Sequence, residues 1–186
     1  DTTAGERERK SLEPLLALPV RRATLLVGKM TATLCCMLAS LALTLAAFTI
    51  ALAQLPLEQI GMSSSFGFGS AALAFLLLAP FAPLGAALMT TVASFSKTYR
   101  EAQTYGTFVL LVPTLPLAFA TMLNIEPAAS LMWIPSLSQH LLITTLIKDQ
   151  PLVPSFVAIS IASSLAFGVL LGWLAVRLYK REAILG

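Results

Sequence analysis

Residues 30–53 form a run of twenty-four residues without one charged side chain, and no other feature restricts the fold so severely. The hydrocarbon core of a bilayer is ~30 Å thick and takes ~20 helical residues to cross. Three further runs reach that length, at roughly 70–95, 103–123 and 153–176. Charged residues make up 11% of the chain, whereas a soluble domain carries about 25%. The expectation is an all-α polytopic membrane protein with a polar N-terminal segment at 1–29 and a transmembrane domain at 30–186.

Residues 131–147 are a fifth apolar stretch, but Pro135, Ser136, Ser138, Gln139 and His140 interrupt it. Charge decides whether it crosses. With four spans and a cytoplasmic N-terminus, the inner side holds Arg7, Arg9, Lys10, Arg21, Arg22, Lys29, Lys97, Arg100, Arg177, Lys180 and Arg181, and the outer side holds Lys148 alone. That asymmetry obeys the positive-inside rule. A fifth crossing would carry the C-terminal basic cluster outside and blur it. The stretch is therefore read as an external re-entrant or interfacial hairpin, with both ends of the chain cytoplasmic.

The net charge of +3 and a pI near 9.1 suggest a nucleic-acid binder at first sight. The basic residues cap apolar runs and form no single face, which argues for membrane lipids and against nucleic acid. Cys35 and Cys36 are adjacent, and with a single histidine in the chain no zinc-ligand spacing exists. They read as small hydrophobes. No phosphate-binding glycine loop, HExxH or Ser-His-Asp set is present, so catalysis within the chain is not expected. The chain has no initiator Met and opens inside a polar segment, and it reads as the later part of a longer polypeptide.

In that segment Thr3 and Glu6 have capping-box spacing. Glu6 and Lys10, and Arg9 and Glu13, sit one helical turn apart. Ser11 can cap a second short helix with Pro14 in its first turn, and Pro19 ends it. Leu12, Leu15 and Leu16 then share one side. This is either an interfacial helix at a membrane boundary or a docking element for a cytoplasmic partner.

The residues also carry a resemblance. AGERERKSLEPLLALPVRR followed by GK, then FSKTYREAQTY, IPSLSQHLL and LYKREAILG, occur in the order found in type-2 ABC exporter permeases of the sodium-extrusion NatB-like group. The resemblance covers essentially the whole chain. It implies a cytoplasmic coupling helix seated in a groove of a separate ATPase subunit, with Glu6, Glu8, Leu12, Glu13, Leu15 and Leu16 as contact candidates. It further implies a second permease unit as homo- or heterodimer partner, and no cofactor in this chain, since ATP and magnesium belong to the ATPase. The family pattern expects an earlier span, an extracellular domain and another span before Asp1. A multi-pass protein of the plasma (inner) membrane is implied, exporting sodium or another substrate.

The residues add an independent hint. The four runs contain no Asp, Glu, Lys, Arg or His, whereas ion-coupled carriers place such groups inside the membrane. Energy from an outside ATPase fits this better. Thr44, Thr49, Thr90, Thr91, Thr107, Thr114, Thr121, Ser160, Ser163 and Ser164 are expected mainly to back-bond or pack between helices. Gly168 and Gly172 have GxxxG spacing, read as small-residue packing. Pro80 and Pro83, and Pro113 and Pro116, fall near the middle of their spans. They can shape a pathway or gate, or simply fix bends. His140 with Gln139, beside Trp133, reads as a turn or interface residue before it reads as a sensor or substrate contact. Lys97, Arg100 and Glu101 form an orienting inner loop. The competing class is a non-transporting membrane scaffold or sensor that recruits a cytoplasmic partner.

Overall fold

The computed structural model describes residues 22–54, 66–96, 98–123 and 125–185, with the side chains of 22, 23, 94, 95 and 178–185 left aside. Most of these residues are helical, with no strand among them. Helix α1 is Arg22–Gln54. The next membrane-length segment, Phe68–Ala93, divides into α2 (Phe68–Leu78), a 3-10 turn (Ala79–Phe81) and α3 (Ala82–Phe95). Helix α4 is Tyr99–Met122. A 3-10 turn at Leu131–Trp133 leads into the short α5, Leu137–Ile147, and α6 is Pro154–Leu185. Among the described residues four helical segments are long and apolar enough to cross a membrane. At 11 residues, α5 extends only ~16 Å and cannot.

The helices overrun the apolar runs, and local chemistry explains where they stop. Helix α1 begins eight residues before residue 30, so Lys29 lies within it. Thr98 caps α4 by accepting from the Glu101 N–H at 3.2 Å, and Glu101 then sits in the first turn, where the helix dipole favours a carboxylate. Arg100 and Glu101 thus belong to helix α4 and not to a loop. Pro154 opens α6, where its missing N–H is one the helix would leave unpaired anyway.

Helix α3 is the centre of the bundle, packed on α1, α4 and α6. Its buried residues are Ala82, Leu84, Ala86, Ala87 and Thr90, mostly small. In lipid, apolar burial does not drive helices together, and close backbone approach does. Gly168 of α6 lies against Pro83 and Leu84 so tightly that a Cβ would come within 3.0 Å of the Leu84 nitrogen. Gly172 faces the Met30 methyl and Gly85 faces that of Met37. The GxxxG pair therefore serves packing inside the protomer. A second cluster joins Leu77 of α2, Ala120 of α4 and Met132, Leu137, Leu141 and Leu142 of the hairpin.

Helix α4 is the most weakly covered span with α1. Phe108, Val112, Phe119 and Met122 stand out from it by 60% or more of their surface. Its half-buried positions Gly106, Val109, Pro113, Leu117 and buried Ala120 follow a helical period and mark the face turned to the protein.

Candidate functional site

The two proline pairs share the spacing Pro-x-x-Pro, but the chain treats them differently. Pro83 has no N–H to give to the Ala79 carbonyl, and the Ala82 N–H takes that carbonyl instead, producing the 3-10 turn at Ala79–Phe81. Pro80 and Pro83 each fall in the first turn of the element that follows. Pro113 and Pro116 instead lie inside the continuous helix α4. There they remove the donors for the Val109 and Val112 carbonyls and weaken the ladder locally. Pro83 is held by Gly168 of α6. The Pro113 carbonyl accepts a hydrogen bond from Ser136 Oγ at 3.0 Å. Each pair thus has its own partner in a different element.

The partner of α4 is the hairpin. Two sides of α5 are used. Ser136 and His140, one turn apart, face α4: the first reaches Pro113, and the second brings Nε2 to 3.4 Å from Thr121 Oγ1. Ser138 and Gln139 face α6 and are buried. Ser160 Oγ donates to Ser138 Oγ at 2.8 Å, and Gln139 Nε2 donates to Ser164 Oγ at 2.9 Å. Ser163 Oγ lies 3.1 Å from the Met132 carbonyl and 3.0 Å from that of Ser160, and can donate to either. A buried polar network of this kind persists because each group has a partner. Ser160 and Ser164 lie six and ten residues past Pro154, or ~9 and ~15 Å along α6.

Sequence reasoning missed this network, although its signal was present. The polar residues that disqualify 131–147 as a span are the ones that bind it to α6. Ser160, Ser163 and Ser164 stand at i, i+3 and i+4, one face of a helix. Six of the membrane threonines back-bond as expected. Thr44, Thr49, Thr91, Thr107, Thr114 and Thr121 each donate to the carbonyl four residues earlier. Among the described residues no group of three His, Cys, Asp or Glu is placed to hold a metal.

Glu6, Glu8, Leu12, Glu13, Leu15 and Leu16 lie outside the described residues, as does Lys97. At the end of the bundle where α1 begins and α6 ends, the Arg177 guanidinium lies 4.7 Å from the centre of the Trp173 ring. That stacking suits a cation at a membrane boundary.

Comparison with known proteins places these features in a family. A family model described as ABC-2 family transporter protein matches residues 2–177. The chain is 34% identical over 125 residues to the ABC transporter permease protein NatB of Bacillus subtilis (strain 168). That match takes in 64% of this chain and 31% of the relative, so the chain spans about a third of the relative's length. No solved structure matches it significantly.

Proposed function

The chain belongs to the ABC-2 family of transporter proteins, and from that premise we propose that it is the membrane-spanning part of an ATP-driven exporter whose ATPase is a separate subunit. The observation that carries this reading is the extent of the family match, which takes in the N-terminal segment and all four membrane-length helices together. A polar segment continuous with a span suits a lever between a cytoplasmic motor and the membrane. Helix α1 continues about two turns beyond the apolar run toward that segment, so a push at its start is transmitted as rigid-body movement of α1 and the α3 and α6 helices packed on it.

In this reading Glu6, Glu8, Leu12, Glu13, Leu15 and Leu16 contact the ATPase, the basic end of the bundle faces the cytoplasm, and the hairpin end faces outward. A second permease unit, identical or not, completes the pathway. The proline pairs are the points at which α2–α3 and α4 change shape. Sodium is the substrate that resemblance suggests first.

Co-purification with a candidate ABC ATPase subunit is the direct test. Glu13→Lys and Leu16→Asp should each reduce its recovery with the permease severalfold, and the pair together should abolish it. Undiminished association would remove the N-terminal segment from the coupling role.

A further inference from the structure

The hairpin turns at Ser136, which has φ 73° and ψ −57°. The Leu137 N–H donates to the Pro135 carbonyl at 3.0 Å, across this residue. This is a γ-turn of the rare, strained hand, and a residue with a side chain seldom adopts it. Such a conformation lasts only where the surroundings hold it.

The surroundings hold it unequally. Toward α6 the hairpin is fastened by Ser138, Gln139 and the Met132 carbonyl, through contacts that are buried throughout. Toward α4 it is fastened by the half-buried Ser136 hydroxyl on Pro113 and by the long contact of His140 with Thr121. Water competes more readily for the second set. The weaker fastening also meets α4 where two backbone donors are missing. Pro113, Leu117 and Thr121 are spaced four residues apart, so they lie along one side of α4, with Leu117 between the two contacts.

We propose that Ser136 is the positioning residue of an outer latch: its hydroxyl, on the Pro113 carbonyl, holds the re-entrant hairpin closed against the weak point of α4. When α4 changes shape the bond breaks, the strained turn relaxes, and the seam between α4 and α5 opens while the hairpin stays on α6. This rests on the exporter reading, because it requires α4 to move during an ATP cycle.

The test is thiol accessibility in the complete permease with its ATPase partner, in nanodiscs. Cys35 and Cys36 are replaced by Ala, and Leu117→Cys reports the seam through its rate of reaction with a small charged methanethiosulfonate. Adding Ser136→Ala should raise that rate about fivefold, the factor matching loss of one net hydrogen bond. Ser136→Asn should return it to the parent value, because the amide can donate to the same carbonyl and Asn tolerates positive φ. An unchanged rate in Ser136→Ala, or equal rates in the Ala and Asn variants, would overturn the latch. Trapping with ATP and vanadate should also raise the parent rate. A rate that responds to Ser136→Ala but not to trapping would show a fixed clasp and overturn the latch, while a complex that neither binds nor hydrolyses ATP would remove the exporter reading. A rate that responds to trapping but not to Ser136→Ala leaves the exporter reading standing and overturns the latch.

Discussion

Replacing Gly168 by Ala measures how rigidly α6 holds the proline turn of the second span. The added Cβ would lie 3.0 Å from the Leu84 nitrogen, 3.2 Å from Pro83 Cβ and 3.3 Å from the Pro83 carbonyl carbon. Comfortable carbon contacts begin at ~3.5 Å, and every atom in the way belongs to backbone or a proline ring. Neither can rotate aside, so α3 and α6 must separate. Overpacking of this kind costs about 1–3 kcal/mol. Against it stands a gain of roughly 0.5–1 kcal/mol for Ala over Gly in a helix interior. The expected net loss is about 1 kcal/mol.

Gly172→Ala is the control. Its Cβ would meet the Met30 methyl at 3.1 Å, the flexible end of a thioether chain that can swing away. Only the helix gain of about 0.5–1 kcal/mol then remains. Heating the purified permease in detergent and measuring the monodisperse fraction by size exclusion should rank Gly168→Ala below wild type and Gly172→Ala at or above it. The shifts should be about 2–4 °C per kcal/mol. A Gly168→Ala protein as stable as wild type, or a Gly172→Ala protein that is the weaker of the two, would refute the close fit.

Gln139→Leu and Ser164→Ala, alone and together, should show a coupling of about 0.6–1.7 kcal/mol in a double-mutant cycle; additivity would mean their bond contributes nothing. Pro113→Ala with Pro116→Ala restores two helical donors to α4 and should lower transport and ATP hydrolysis by the reconstituted complex; unchanged turnover would leave the prolines a packing role alone. In a background without Cys35 and Cys36, Lys148→Cys should react with an impermeant thiol reagent from outside intact cells, and Lys180→Cys only after permeabilisation. Labelling of residue 180 from outside would invert the assigned orientation.

The four spans were legible because membrane length and lack of charge are strong, local signals. The ends were less so. Lys29 and Arg177 are carried inside helices because long basic side chains can reach the boundary from a turn within. The fate of the prolines was not legible. Pro80 and Pro83 have the same spacing as Pro113 and Pro116, yet the first pair breaks its span and the second does not. The two pairs also differ in their remote partners: Gly168 lies against Pro83, and Ser136 reaches Pro113. Ser136 itself looked like one of several residues too polar for a span. Its importance comes from a backbone conformation that no composition or period encodes.

The serine ladder of α6 has a consequence for biogenesis. The hairpin leaves the ribosome before α6 does, but Ser138 and Gln139 find their partners only on Ser160 and Ser164. Until α6 has entered the membrane, those groups are better solvated by water than by lipid. The hairpin must therefore wait at the aqueous side and be drawn in by the last helix, which makes insertion of α6 the step that completes the bundle. A released chain truncated after Asp149 should keep the hairpin accessible to water, and the chain with all of α6 inserted should bury it.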